Sequence, residues 1–257
     1  LFLRLYYTGI WIASAFNPKA RLWMEGRRSI FNRLEKAMNS HSAPLIWMHC
    51  SSLGEFEQGR PLLEMVKENH PSHKILITFF SPSGYEIRKN YEGADFVFYL
   101  PADSKSNARR FLQIVKPVLV LWVKYDYWYY FLSTLRQNNI PVLLVSGLFR
   151  IDQPFFKWYG KLYRQMLESF RHLFVQTESS AQLLKSIGFV NNVTIVGDTR
   201  FDRVLQISRH FEPIDDIKQV CGNDPVIVAG STWIEDEEEL DHYANTRQEI
   251  KFIIAPH

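Results

Sequence analysis

Residues 45–56 read Leu45-Ile46-Trp47-Met48-His49-Cys50-Ser51-Ser52-Leu53-Gly54-Glu55-Phe56: an apolar run, a small-residue turn, then the start of a helical pattern. The same unit recurs along the chain. Apolar or β-branched runs stand at 45–49, 74–79, 95–100, 118–123, 141–145, 172–176 and 193–196. Between them the apolar residues take helical spacing, as at Phe56, Leu63 and Val66 and again at Phe111, Ile114 and Val115. Strands and helices that alternate in this way predict an α/β fold, a doubly wound parallel sheet covered on both faces. Turn chemistry at Ser81-Pro82-Ser83-Gly84 and Pro101-Ala102-Asp103 agrees.

A second unit starts near residue 197. Residues 209–224 are polar, contain Pro213 and read as a linker or small insertion. A strand follows at 225–229, a turn at Gly230-Ser231-Thr232, a helix at 235–249 and a strand at 251–255. One βαβ unit cannot cover both faces of a sheet, so it is expected to be the incomplete start of a larger Rossmann-like domain. The expected divisions are 1–40, 41–196 and 197–257.

The 257 residues are 46% hydrophobic and 22% charged, which excludes a disordered, collagenous or coiled-coil chain. Two cysteines cannot build a disulfide framework, and a net charge of +3 is too small to argue for a nucleic-acid partner. The charge is unevenly placed. Residues 1–36 hold seven basic side chains against Glu25 and Glu35, so they carry the whole positive excess. Residues 1–16, Leu-Phe-Leu-Arg-Leu-Tyr-Tyr-Thr-Gly-Ile-Trp-Ile-Ala-Ser-Ala-Phe, are apolar but shorter than the ~20 residues of a spanning helix. With Tyr6, Tyr7, Trp11 and Trp23 at headgroup depth and basic residues close by, this segment is expected to lie on a membrane surface. Ala13-Ser14-Ala15 also fits a signal-peptide cleavage site, although no basic region precedes it. A helix packed on the domain, with its basic residues merely solvated, is the third alternative. The chain begins at Leu1 rather than Met, so a few preceding residues are expected.

In open parallel sheets, ligands bind at the carboxyl ends of the strands, beside helix N-termini. Several motifs fall there. Glu55 sits near a helix start, where it either complements the helix dipole or takes a proton from an attacking hydroxyl. Ser81-Pro82-Ser83-Gly84 reads as an N-cap and turn. In Gly197-Asp198-Thr199-Arg200-Phe201-Asp202, Arg200 either binds an anion or pairs with Asp202. Gly230-Ser231-Thr232 is a weak phosphate-cradle signal, and Glu235–Glu239 an acidic helix start. The run Lys124-Tyr125-Asp126-Tyr127-Trp128-Tyr129-Tyr130 gathers aromatics at a strand end, as core or as the wall of a sugar or lipid cleft.

In order, Ser51-Ser52-Leu53-Gly54-Glu55-Phe56, Thr78-Phe79-Phe80-Ser81-Pro82-Ser83-Gly84-Tyr85, Phe174-Val175-Gln176-Thr177, Gly197–Asp202, Gly230-Ser231-Thr232 and Ile253-Ile254-Ala255-Pro256 resemble the 3-deoxy-D-manno-octulosonic acid (Kdo) transferase family of lipopolysaccharide assembly. The resemblance implies a two-domain GT-B glycosyltransferase on the cytoplasmic face of the inner membrane. Such enzymes move Kdo from CMP-Kdo to a lipid A precursor with inversion and without a required metal or other cofactor. It implies Glu55 as catalytic base, with Ser52, Gly54, Ser81, Ser83, Gly84 and Asp126 on the acceptor side. Donor contacts are implied for Arg200, Ser231, Thr232 and His257. Because the second domain is only begun, weak or no donor turnover is expected of these residues alone.

Departures from the family pattern bear on the acceptor. Lys124-Tyr125-Asp126-Tyr127-Trp128 stands for Glu-x-Glu-Leu-Trp, Ser146-Gly147-Leu148 for Asn-Ala-Arg, Asp198 and Arg200 for the asparagine and lysine of Gly-Asn-x-Lys, and Trp233 for a histidine. Two other functions compete: a nucleotide-sugar epimerase of similar two-domain architecture, and a non-catalytic, membrane-peripheral glycolipid-binding domain.

Overall fold

The structure is a computed structural model. It describes the chain apart from Leu1, Tyr125, His210, Gln248 and His257, and apart from the side chains of residues 2–5, Arg203 and Gln206. Seven strands, β1 (Leu45–Cys50), β2 (Lys74–Phe79), β3 (Phe96–Tyr99), β4 (Leu119–Val123), β5 (Val142–Gly147), β6 (His172–Val175) and β7 (Val193–Ile195), form one sheet. Each of the seven runs expected before residue 197 is a strand here, shifted at an end by at most two residues. All neighbours pair in parallel, in the order β3-β2-β1-β4-β5-β6-β7. The chain therefore winds outward one way from β1 and the other way from β4, which puts a topological switch point between those two strands.

Side chains alternate across β1. Leu45 and Trp47 join one core with Trp122, Phe111 and Phe131, beneath α3 (Ile30–Met38), α6 (Lys105–Val115), α7 (Tyr129–Gln137), α8 (Lys161–Leu167) and α9 (Glu178–Ser186). Ile46, Met48 and Cys50 join the other with Ile75, Ile77, Phe79, Leu121 and Val123, against Phe56 and Leu63 of α4 (Leu53–Asn69). Both faces of the sheet are covered, as the unbroken apolar runs predict. Trp47 lies 4.8 Å from Phe111, 5.7 Å from Trp122 and 6.1 Å from Phe131, so part of the aromatic excess is core packing.

Helix starts along the carboxyl edge are capped by local hydroxyls. Ser52 accepts from Glu55 N, Ser81 from Ser83 N at the start of α5 (Pro82–Arg88), Ser104 from Asn107 N and Thr177 from Ser180 N. Helix α7 has no such local cap, and Asp103 of the β3–α6 connection supplies it. Its carboxylate accepts from Tyr130 N at 3.2 Å and Phe131 N at 3.0 Å. Burial nevertheless raises the Asp103 carboxyl to about 6, and the backbone hydrogen bonds only partly oppose it. The stability linked to its protonation is complete below the ordinary carboxylate value and is lost as pH rises through about 6. Urea unfolding from pH 5 to 7 should show stability falling, with this group adding at most about 1.4 kcal/mol per pH unit. Asp103→Asn should remove that part of the slope, and an unchanged slope would place its cause elsewhere.

The N-terminal helices α1 (Phe2–Ala13) and α2 (Pro18–Gly26) are tied to the same edge by Arg27. Its guanidinium donates to Leu100 O at 2.8 Å, Phe80 O at 2.8 Å and Trp23 O at 3.1 Å, and lies 3.8 Å above the Trp23 ring. This corrects one expectation. Trp23 is only 5% exposed and so does not project outward, because its ring packs on Tyr7 and Phe80 under Arg27. Trp11 and Phe16 do face outward, at 63% and 88% exposure. Among the described residues no helix is long and apolar enough to cross a membrane.

The chain divides into compact units Leu1–Leu205 and Gln206–His257, within α10 (Arg200–Arg209). The second unit contains a parallel pair, β8 (Val226–Thr232) and β9 (Lys251–Pro256), joined by α12 (Ile234–Thr246). Two details differ from expectation. The polar stretch 209–224 holds a two-turn helix, α11 (Asp215–Cys221), with acidic residues in its first turn and Gly222 at φ 54° behind it. Gly230-Ser231-Thr232 is not a turn after the strand but its end: Ser231 takes φ 58° at an irregularity and Thr232 still pairs with Pro256. Val228 of β8 is 69% exposed, so this unit leaves apolar strand surface uncovered.

Candidate functional site

At the switch point, one serine holds two carboxylates. Ser51 follows β1, and its backbone N–H donates to Glu55 Oε2 at 2.5 Å while its hydroxyl donates to Asp126 Oδ2. Ser51 O in turn accepts from Ser81 N at 2.8 Å, which ties in the turn after β2. Glu55 is the third residue of α4, where an acidic side chain normally reaches back to the N-cap. Here it reaches one residue further, which fixes the orientation of a buried carboxylate. Asp126 is placed by β4, the hydrogen-bonded neighbour of β1, and its carbonyl accepts from Trp122 Nε1 at 2.6 Å. Burial raises the Asp126 carboxyl, with the Ser51 hydrogen bond opposing. Burial, and then the charge of Glu55, hold the Cys50 thiol far above its ordinary value, so Cys50 is a packed thiol rather than a nucleophile.

Beneath these carboxylates lies a network that sequence reasoning passed over. Trp128 Nε1 donates to His49 Nε2 at 3.3 Å. An indole nitrogen only donates, so His49 Nε2 is the acceptor and Nδ1 carries the proton. Nδ1 then donates to Thr78 Oγ1 at 2.9 Å, which also accepts from Trp47 Nε1 at 2.8 Å. Burial lowers His49 to about 3, the Thr78 hydrogen bond opposes this and the charge of Arg27 adds to it, so the imidazole is neutral. The Trp128 ring lies 4.5 Å from that of Phe80, tilted by 36°. A histidine inside an otherwise apolar strand run was the available signal for this network. Thr78→Val leaves two buried N–H donors without an acceptor, and should cost about 2–4 kcal/mol in urea unfolding. A loss below about 0.5 kcal/mol would mean that the network is not needed for stability.

Cationic groups lie close to these carboxylates. Lys124 is buried at the end of β4 with φ 56°, a left-handed conformation uncommon for a side-chain-bearing residue. Its ammonium is lowered by burial and then by Arg200, while Asp198 and Glu55 oppose. Arg200 pairs with Asp198, at 2.6 Å from Nη2 and 2.8 Å from Nε, rather than in the pair with Asp202 that sequence reading had weighed. Nearby, Ser146, also left-handed at φ 58°, accepts from Gln176 Nε2 at 2.8 Å.

The structure thus gathers Glu55, Ser52, Gly54 and Asp126 at the switch point. Gly54 is exposed, and a Cβ there would meet nothing within 4 Å, so the first turn of α4 is open to approach. Ser81 caps α5, and Ser83 lies 3.0 Å from it. Gly84 has a packing reason, since a Cβ would come within 2.2 Å of the Phe79 ring. Ser231 and Thr232 belong to the other unit, where Thr232 donates to Glu237 at 2.8 Å. His257 lies outside the described residues.

A family model described as 3-deoxy-D-manno-octulosonic-acid transferase (kdotransferase) matches residues 26–203, which contain Glu55, Asp126 and the hydrogen-bond partners described above. The chain belongs to the kdotransferase family. Similar proteins include a bifunctional glycosyltransferase/methyltransferase of Fusobacterium nucleatum, 29% identical over 82% of this chain and 34% of its own length. Two 3-deoxy-D-manno-octulosonic acid transferases also match. That of Haemophilus influenzae is 24% identical over 75% of this chain and 46% of its own length, and that of Chlamydia trachomatis 25% over 86% and 53%. The chain therefore spans about half or less of the length of these curated relatives. Among solved structures, UDP-GlcNAc 2-epimerase from Neisseria meningitidis bound to UDP-GlcNAc superposes with a TM-score of 0.60 at 18% identity, over 83% of this chain and 65% of that one. At that identity the likeness is one of fold, and it bears out the expected GT-B-type α/β architecture for this kdotransferase-family chain.

Proposed function

We propose that the chain is the acceptor-side part of an inverting glycosyltransferase that moves Kdo from CMP-Kdo to a lipid A precursor. The observation that carries this is the Glu55 carboxylate, oriented by Ser51 N–H at the switch point of a kdotransferase-family sheet. Glu55 takes the proton of the acceptor hydroxyl as its oxygen attacks the anomeric carbon of Kdo. The bond from that carbon to the CMP phosphate breaks, and the phosphate leaves with the electron pair. Inversion then needs one base and in-line geometry, without a protein nucleophile. Ser52, Gly54, Ser81, Ser83, Gly84 and Asp126 face the acceptor side. Arg200, with Lys124 beside it, offsets the charge that develops on the leaving phosphate, and Ser231, Thr232 and His257 serve the donor.

In this reading the reaction takes place at the cytoplasmic face of the inner membrane, and the segment 1–36 meets the bilayer through its outward side chains. The outward Trp11 and Phe16 support that contact. The test is CMP release from CMP-Kdo, measured with and without acceptor lipid, in a chain extended to the length of its curated relatives. Release that depends on the acceptor and yields a Kdo-bearing lipid is the expected result. Epimerisation of a nucleotide sugar, or lipid binding with no CMP release, would overturn the proposal.

A further inference from the structure

Helix α7 starts at a residue that cannot cap it. The N-cap is Trp128, whose indole N–H only donates, and Ser133 and Thr134 donate back to Tyr130 O at 3.2 and 2.6 Å. Asp103 serves instead, giving one carboxylate oxygen to Tyr130 N and the other to Phe131 N. Asp103 is 7% exposed and Phe131 is fully buried, so water is a poor substitute for these acceptors. An unmade buried hydrogen bond costs about 1–3 kcal/mol, so a helix that loses both acceptors frays or rewinds its first turn. The chain on either side of Asp103 is itself fixed. Leu100 N donates to Phe79 O at 2.7 Å, Arg27 donates to Leu100 O, Asn107 Nδ2 donates to Ala102 O at 3.1 Å, and Ser104 caps α6.

The first turn of α7 is joined directly to the segment that carries Asp126. Trp128 donates to His49 Nε2, and its carbonyl accepts from Leu132 N at 2.9 Å. Two residues earlier, Asp126 accepts from Trp122 Nε1 on its carbonyl and from the Ser51 hydroxyl on its carboxylate. Ser51 is also the residue whose N–H orients Glu55. Segment 126–128 is thus held from β1 and β4 by its own contacts, and from α7 by a helix turn that Asp103 fixes.

We propose that Asp103 is a positioning residue for glycosyl transfer: by setting the first turn of α7 it sets Trp128 and Asp126, and through them the acceptor hydroxyl beside Glu55. This rests on the reading of Asp126 as an acceptor contact and Glu55 as base given above. Misplacing a reacting group by about 1 Å can cost about 10²-fold in rate, so a small rewinding of α7 is enough to be read in turnover.

The test uses a chain extended to the length of its curated relatives, with Asp103→Ala, which removes both acceptors, and Asp103→Asn, which keeps one. The first readout is kinetic. Asp103→Ala should lower kcat/KM for the acceptor lipid about thirtyfold and Asp103→Asn about threefold, while the KM for CMP-Kdo stays within about twofold. An equal change for both substrates, or none for the acceptor, would overturn the proposal. If alanine prevents folding, the asparagine variant alone decides between those outcomes. The second readout needs no turnover. The indole N–H resonances of Trp128, Trp122 and Trp47 are assigned by their loss in Trp128→Phe, Trp122→Phe and Trp47→Phe. Substitution of Asp103 should shift the resonances of Trp128 and Trp122, whose hydrogen bonds hold the segment, and leave that of Trp47, which donates to Thr78 in the core. Equal shifts in all three would mean a general loosening of the sheet and would overturn the positioning role, as would no shift at Trp128. A parent chain without acceptor-dependent CMP release would overturn the functional reading instead, and the indole shifts would still decide whether Asp103 sets the segment.

Discussion

Glu55→Gln should lower acceptor-dependent CMP release by about 10³-fold, with the KM for CMP-Kdo little changed. Glutamine has the same size and keeps an oxygen for Ser51 N–H, so the start of α4 should stay folded. What it cannot do is accept the hydroxyl proton. The loss should therefore fall on kcat, in a chain extended to family length and shown by circular dichroism to fold. Turnover within about threefold of the parent would remove Glu55 from the role of base. Ser51→Ala separates orientation from proton transfer. It keeps the N–H that holds Glu55 and deletes only the hydroxyl that holds Asp126. It should cost less than Glu55→Gln, and its effect should appear mainly in the KM for the acceptor lipid.

The largest effect on stability is expected at Arg27. Arg27→Ala deletes three hydrogen bonds to the carbonyls of Trp23, Phe80 and Leu100, and removes the cation stacked on Trp23. Hydrogen bonds to charged groups contribute about 1.5–3 kcal/mol each, but part of the guanidinium's gain offsets its own desolvation, so the net loss should be about 2–4 kcal/mol. That desolvation is visible in a guanidinium lowered to about 10, which still leaves it a cation at neutral pH. Arg27→Lys should restore little, because one ammonium cannot span three carbonyls in different directions. Two measurements check this: the urea midpoint, and limited proteolysis, which should cut after α2 once α1 and α2 are released. A variant with the parent midpoint and the parent digestion pattern would show that the aromatic contacts alone hold the N-terminal helices.

Much of the architecture was legible in local sequence. The β1 run of six buried residues, the small-residue turn after it and the hydroxyl N-caps at Ser52, Ser81, Ser104 and Thr177 are each set by residues within a few positions of one another. The hydrophobic period and the capping preference operate at that range, so strand positions could be read directly and the motif carrying Glu55 could be found. The outward aromatics at Trp11 and Phe16 were also visible as an apolar run followed by basic residues.

The rest depended on which strands became neighbours, and that is decided by burial of the whole sheet. Ser51 joins Glu55 to Asp126 only because β4 returns beside β1, bringing together residues 75 positions apart. Asp103 could be read as turn chemistry but not as the cap of α7, whose Tyr130 N–H lies 27 positions further on. Trp23 could be read as an interfacial aromatic because its composition and neighbours allow that. It is buried because Phe80 and Leu100, at the ends of two other strands, offer Arg27 the carbonyls that pin α2 in place. Local sequence set the elements and the candidate base through short-range backbone preferences. Tertiary structure alone decided the partners of that base and the place of the N-terminal helices, because long-range contacts form only once the sheet order is complete.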